Sequence, residues 1–293
     1  FMNYKNAFGC SFTNKRSQNE DFYLIKPNCI FIFDGHGGFD ISEGLMEFFQ
    51  NTTKFLSLNQ IQQEIYAFEH QFDDDVFIKQ VTIGSTFICC LINEKLNILN
   101  IGDSLCYTQQ FQNSVHHPDR EVERLSNFQV KFTNDKIDDN LSVSRAVGDF
   151  NYKPILISEG DQSVIPLEQF VVLASDGLIL EKETVLQLIN QFANKNLQFE
   201  QDDDVERFTF NQLNSQQNSS MSYQEISIAF EHLLKNQIAK ALKIIQNTRY
   251  NGFIEPEKKI TEGMHQLEKM AICLCQLVQF MGGADNCTVV IAE

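Results

Sequence analysis

Five times along this chain a carboxylate abuts an apolar, strand-like run: "NED" before "FYLI", "FIFDGHGG", "LNILNIGDS", "VVLASDG", and "GGADN" before "CTVVIA". Each run is short and rich in Phe, Ile, Val and Leu, as buried strands are. The acids Glu20 and Asp21, Asp34, Asp103, Asp176 and Asp285 therefore fall where strands begin or end. An Asp beside Gly is an ordinary turn residue, and any single junction of this kind is equally well a capped strand-to-loop turn. In "FIFDGHGG" the strand is expected to stop at Asp34, and the glycines around His36 let the backbone turn and approach another group. The repetition is the constraint. Carboxylates gathered at one edge of a β-rich fold repel one another and need cations. Ligands that are all oxygen favour hard ions, Mg²⁺ or Mn²⁺. Two such ions about 3.5–4 Å apart activate a water and clamp a phosphoryl group.

The remaining elements support a sandwich. "AFGCSF", "FYLI", "CIFIF", "STFICCLI", "LNILNI", "LCYTQQF", "QFVVLAS" and "NCTVVIA" read as strands. Residues 39–52 and 182–193 read as helices, as does a segment in which Ile61, Ile65, Phe68, Phe72 and Val76 recur at helical spacing. Residues 118–127 form a short helix started by Pro118, and 223–247 and 262–280 are two amphipathic helices. Strands in runs with helices in pairs between them suggest strand-on-strand pairing covered by helices, not alternating βαβ units. Residues 195–222, rich in Gln, Asn, Ser and Asp, read as a surface insertion with a short anchored element around Phe208 and Phe210. A single domain over 1–293 carrying that insertion is expected.

Composition narrows the partners. A formal charge of −16 argues against nucleic acid or an anionic membrane. No apolar run reaches membrane-spanning length, and the first residues lack the pattern of a signal peptide. Eight cysteines without a C-x-x-C pair suit reduced core thiols in the cytosol or nucleus, not zinc or a disulfide framework. Cys273 and Cys275 are expected to pack or face solvent singly. His116 and His117 read as surface residues, and Asp73–Asp75 and Asp202–Asp204 as solvated acidic faces.

The motifs, taken in order, resemble those of the metal-dependent serine/threonine protein phosphatases of type 2C. They are "RSQNED" (16–21), "DGHGG" (34–38), "GST" (84–86), "GDS" (102–104), "LSVSRAVGDFNYK" (141–153), "ASDG" (174–177) and "DN" (285–286). The resemblance implies an α+β fold, a four-layer α-β-β-α sandwich of two antiparallel sheets flanked by helices, with a two-metal site at one end. It implies that Asp34 bridges two Mg²⁺ or Mn²⁺ ions. Glu20 and the Gly35 carbonyl then serve one ion, and Asp176 and Asp285 the other. Asp103 helps hold a weaker third ion together with Asp176. Asp21 orients metal-bound water, Arg16 takes the substrate phosphate, and His36 is the general acid. The guanidinium fork of Arg16 suits two phosphate oxygens. The implied reaction is direct attack of metal-activated water on phosphoserine or phosphothreonine in protein substrates, without a phosphoenzyme, by a monomer. Leu105 stands where the family usually has Arg, and Ile179-Leu180 where it has Trp-Asp. The segments 131–140 and after Lys153, which flank the family's substrate-shaping flap, are short. A pseudophosphatase that keeps the fold as a binding module is the competing reading, and the complete ligand set speaks against it. A metal-dependent nuclease is disfavoured by the acidity.

Overall fold

The apolar runs become strands because their side chains find cover on both faces. The computed structural model describes residues 6–52, 55–133, 136–193, 264–280 and 283–293. In order it contains β1 (Ala7–Phe12), β2 (Asp21–Lys26), β3 (Cys29–His36), α1 (Asp40–Asn51), α2 (Leu58–His70), β4 (Gly84–Ser85), β5 (Phe87–Ile92), β6 (Lys95–Ile101) and β7 (Leu105–Tyr107). Then come α3 (Val122–Leu125), β8 (Phe132–Thr133), β9 (Lys136–Ile137), β10 (Val147–Gly148), β11 (Asp161–Pro166), β12 (Val171–Ala174), α4 (Lys182–Ala193), α5 (Gln266–Phe280) and β13 (Cys287–Ala292).

One antiparallel sheet has the order β1-β13-β12-β7; the other has β10-β4-β3-β5-β6-β11, with β2 also paired to β3. Strand alternation distributes the core. On β3, Ile30 and Ile32 join Ile88, Cys90 and Ile98 against Val171, Leu173 and Val290 of the other sheet. Phe31 and Phe33 point the opposite way, into a cluster with Leu45 and Phe49 of α1 and Ile61 and Ile65 of α2. The outer face of the first sheet, through Phe12, Val172, Val289 and Ile291, packs on Val185 and Ile189 of α4 and on Met270, Leu274 and Leu277 of α5. Helix pairs thus lie outside two face-to-face sheets, as the α+β sandwich requires. The heavy use of Phe has a local purpose: Phe31, Phe33, Phe49, Phe55 and Phe87 interlock with ring centroids 5.3–6.3 Å apart. Such stacked, tilted and edge-on pairs add to the area that they bury.

Several boundaries move. β3 does not stop at Asp34 but continues through His36, because Gly35 and His36 pair with Ser85 and Gly84. α2 ends at His70, leaving Phe72 and Val76 beyond it. Asp75 accepts hydrogen bonds from the N–H groups of Phe77 and Ile78 and starts a new 3₁₀ turn. Val76 is exposed, and Asp73–Asp75 lie in solvent as expected. Residues 118–127 split into a 3₁₀ turn, Pro118–Arg120, and the single turn α3. β7 is cut short where the chain turns back to pair Tyr107 with Gln112. β11 has no counterpart in the sequence reading; it is an edge strand on β6 whose side chains are half exposed. α5 is not amphipathic, since Met270–Val278 are buried all round, Cys273 and Cys275 included. His116 is not a surface residue: it is 3 % exposed, with Nδ1 at the Gly102 backbone and Nε2 3.2 Å from Asp161. The 195–222 insertion, Phe208 and Phe210, Asp202–Asp204 and the 223–247 helix lie outside the described residues.

Candidate active site

Sheet register brings the rim together. Asp21 stands opposite Asp34 across β2 and β3, and directly opposed side chains share a face. Asp176 follows β12 and Asp285 precedes β13, and those two strands are hydrogen-bonded neighbours. Asp103 lies in the turn between β6 and β7. Arg16, Glu20, Asp34, Gly35, His36, Asp103, Asp176 and Asp285 all line one cleft of about 220 Å³. Of the site residues that the resemblance implies, only Asp21 does not line it; Asp21 is 4 % exposed, beneath the rim.

The cleft is crowded with negative charge. Asp34, Asp103 and Asp176 each offer a carboxylate oxygen within 4.8 Å of the others. At that separation each charged pair repels by roughly 3 kcal/mol at an effective dielectric of about 20. Burial, and then the charges of Asp21, Asp176, Asp103 and Asp285, push Asp34 well above the carboxylate range. Asp176 opens to solvent at the rim, yet its protein surroundings and the charges of Asp103 and Asp285 raise it to about 7. Burial likewise raises Asp103 and takes Asp21 to about 6. Asp21 Oδ2 is buried with no hydrogen-bond partner. Against five carboxylates, the described lining offers Arg16 and His36 as cationic groups. Arg16 Nη2 donates to Asp285 Oδ2 at 2.7 Å, which raises the guanidinium pKa further. Oxygen-only donors at this spacing, with an orphaned buried carboxylate oxygen behind them, fit a hard divalent cation.

The local sequence builds this rim. Gly35 N–H donates to the Glu20 carbonyl at 3.2 Å, and Ser42 Oγ donates to the same oxygen at 2.6 Å. A Cβ at position 35 would sit 2.4 Å from that carbonyl and 2.5 Å from Ser42 Oγ, so only glycine lets the Glu20 backbone come this close. Asn286 clamps the loop that carries Arg16 and Glu20. Its Oδ1 accepts from Glu20 N–H at 2.9 Å, and its Nδ2 donates to the carbonyls of Thr13 and Gln18 at 3.0 and 3.1 Å. His36 Nε2 lies 2.7 Å from Asp149 Oδ2. Burial alone would lower the His36 pKa, but the hydrogen bond and charge of Asp149 raise it above its ordinary value. The sequence reading assigned no role to Asn286, Ser42 or Asp149; Asn286 closes the quoted motif "DN" and Asp149 lies within "LSVSRAVGDFNYK", and that was their signal.

None of the three departures lines the cleft. Leu105 is partly buried against the helix-covered face of its sheet, Leu180 is buried in the same core, and Ile179 is 55 % exposed. The short segment after residue 125 forms its own small core of Leu125, Ile137, Leu141, Val143, Ala146 and Leu156. Asn140–Val143 from this unit line the cleft.

Comparison with known proteins agrees with this arrangement. The family description "Protein phosphatase 2C" matches residues 7–242. "Probable protein phosphatase 2C 76" of Arabidopsis thaliana is 29 % identical over 199 residues, covering 58 % of this chain and 47 % of its own length. The chain thus spans about half the length of the curated relatives it matches. A C. elegans sex determining protein shares the fold at a TM-score of 0.61 and 18 % identity, over 100 % of this chain and 65 % of its own. The serine/threonine phosphatase Stp1 of Staphylococcus aureus does so at 0.56 and 16 %, over 99 % and 94 %. By sequence match, sheet order and the acidic rim where its strands end, the chain belongs to the protein phosphatase 2C family.

Proposed function

We propose that this chain is a Mg²⁺- or Mn²⁺-dependent phosphatase that hydrolyses phosphoserine and phosphothreonine in protein substrates, with water as nucleophile and no phosphoenzyme. The observation that carries the reading is the acidic cleft, with Asp34, Asp103 and Asp176 converging within 4.8 Å beside Arg16 and His36. Asp34, Glu20, the Gly35 carbonyl, Asp176 and Asp285 would hold two ions, and Asp103 with Asp176 a weaker third. When bound, such ions supply a nucleophile at neutral pH and neutralise phosphoryl oxygens.

The protein's own groups divide the remaining work. Arg16 binds two phosphate oxygens through its guanidinium fork, of which Nη2 now donates to Asp285. Asp21 orients the attacking water from beneath the rim. His36 delivers a proton to the departing seryl or threonyl oxygen, a step that matters because an alkoxide is a poor leaving group. The site lies open at the surface, which suits a phosphorylated segment of a protein. All eight cysteines are free and buried, which supports a reducing, cytosolic or nuclear setting. No helix among the described residues is long and apolar enough to cross a membrane. A monomer suffices for the reaction, since each residue invoked comes from one chain.

The test is release of phosphate from a phosphothreonine peptide at millimolar Mn²⁺ or Mg²⁺. Activity lost in excess EDTA and restored by added metal is expected; undiminished turnover after thorough chelation would defeat the proposal.

A further inference from the structure

We propose that Asp149 is a positioning residue for this reaction: its carboxylate holds the His36 imidazole at Nε2 and so leaves Nδ1 to carry the proton for the leaving group. The inference rests on the phosphatase reading above. Asp149 lies outside the set of metal and phosphate ligands, at the end of "LSVSRAVGD".

The geometry is specific. Asp149 Oδ2 lies 2.7 Å from His36 Nε2, the Asp149 side chain is fully buried, and that of His36 is 27 % exposed. The imidazole is therefore the solvent-facing member of the pair, and it lines the cleft. Asp149 Oδ1 has no hydrogen-bond partner. A buried carboxylate with one oxygen unsatisfied costs stability, so packing alone does not explain it. The backbone is also held in an uncommon state: φ is 46° and ψ 45°, left-handed for a residue that is not glycine. Asp149 stands at the N-cap of the 3₁₀ turn Phe150–Tyr152, where an Asp side chain ordinarily caps the turn, yet it makes no cap hydrogen bond. It turns to His36 instead.

The surroundings fix that choice. Asp149 N–H donates to the Ile83 carbonyl at 2.9 Å, and the Asp149 carbonyl accepts from Tyr152 N–H at 2.8 Å. Glu69 accepts from the neighbouring Gly148 N–H at 3.0 Å and pairs with Lys153 Nζ at 3.0 Å. Gly84 leaves the room: a Cβ there would sit 2.3 Å from Asp149 Oδ2 and 2.6 Å from His36 Nε2. In the step served, the water oxygen bonds to phosphorus and the P–O bond to Ser or Thr breaks, its electron pair going to that oxygen. The oxygen takes the Nδ1 proton, and neutral imidazole remains with its Nε2–H on Asp149. A carboxylate that orients a histidine by its far nitrogen is an established way of fixing ring and tautomer.

The experiment compares wild type, His36→Gln, Asp149→Asn and the double variant in the full chain at saturating Mn²⁺. Each is assayed on a phosphothreonine peptide and on p-nitrophenyl phosphate, whose phenolate leaves without a proton. Asp149→Asn should lower kcat for the peptide about 10- to 100-fold, the usual range for such supporting partners, with KM unchanged. The aryl phosphate should lose less than about 3-fold, and Asp149→Asn should add almost nothing to His36→Gln on the peptide. Equal losses on both substrates, or a full further loss in the double variant, would overturn the role of Asp149. A wild type inactive on both substrates would instead overturn the phosphatase reading, and this inference with it. Should Asp149→Asn not fold, ¹⁵N resonances of the His36 ring in wild type decide. A fixed Nε2–H is expected, and a ring averaging between tautomers refutes the assignment.

Discussion

Asp21→Asn should make the metal-free protein more stable while slowing hydrolysis. Asp21 is 4 % exposed, and burial raises its carboxyl to about 6, against the neighbouring polar groups of Thr288, Ser175 and Asp34, which pull it down. The unfolded carboxyl titrates near its ordinary value of 3.8. The folded chain therefore keeps this proton longer than the unfolded chain. The stability that results is fully present below pH 3.8, falls as pH rises to about 6, and is gone above it. A gap of about 2 pKa units corresponds to about 3 kcal/mol. Asparagine has no charge to desolvate, and its amide can donate to neighbouring Asp34. In EDTA the variant should thus exceed wild type by about 3 kcal/mol at pH 8, or roughly 5–10 °C in Tm, and by under about 1 kcal/mol at pH 4. Urea denaturation in EDTA at the two pH values measures both differences, and saturating Mn²⁺ should shrink the first. A variant less stable than wild type at pH 8, or a difference independent of pH, would refute the reasoning.

Asp34→Ala, Asp176→Ala and Asp285→Ala should each lower kcat by orders of magnitude in the phosphopeptide assay, whereas Asp103→Ala should chiefly raise the Mn²⁺ concentration needed for half-maximal rate. Glu121 should anchor the small unit beside the cleft. Burial would raise its carboxyl, but Arg145 and Arg124 bring it down to about 2, and it is 11 % exposed. Glu121→Gln should accordingly cost about 3 kcal/mol at pH 7. Because the folded pKa is depressed, that loss should persist above pH 4.5 and fade as pH falls towards 2, which urea titrations at pH 7 and pH 3 would show.

The parts of this molecule that could be read from its sequence are those governed by local pattern. Apolar-rich runs with Asp at or near their ends gave β3, β6, β12 and β13 and located the rim acids, because a strand buried on both faces leaves few polar interruptions. β11 escaped because an edge strand, half in solvent, alternates too weakly to stand out. The end of α2 escaped because Phe72 and Val76 continue the helical spacing while Asp75 starts a new turn. His116 looked exposed beside Pro118, and only the fold shows it beneath Asp161 and the Gly102 turn. The supporting residues were the hardest to see. Asn286 acts on Glu20 across 266 positions and Asp149 on His36 across 113, and no local rule links residues so far apart.

The central claim is the proposal that the rim carboxylates, Asp34 among them, would hold a pair of metal ions. Electron paramagnetic resonance of the full chain, titrated with Mn²⁺ in the absence of substrate, tests this most directly. Wild type should show the exchange-coupled signal of two neighbouring Mn²⁺ ions as the second equivalent binds, and Asp34→Asn should lose that signal while remaining folded. Isolated six-line Mn²⁺ spectra at every ratio in wild type, or a coupled signal that survives Asp34→Asn, would contradict it.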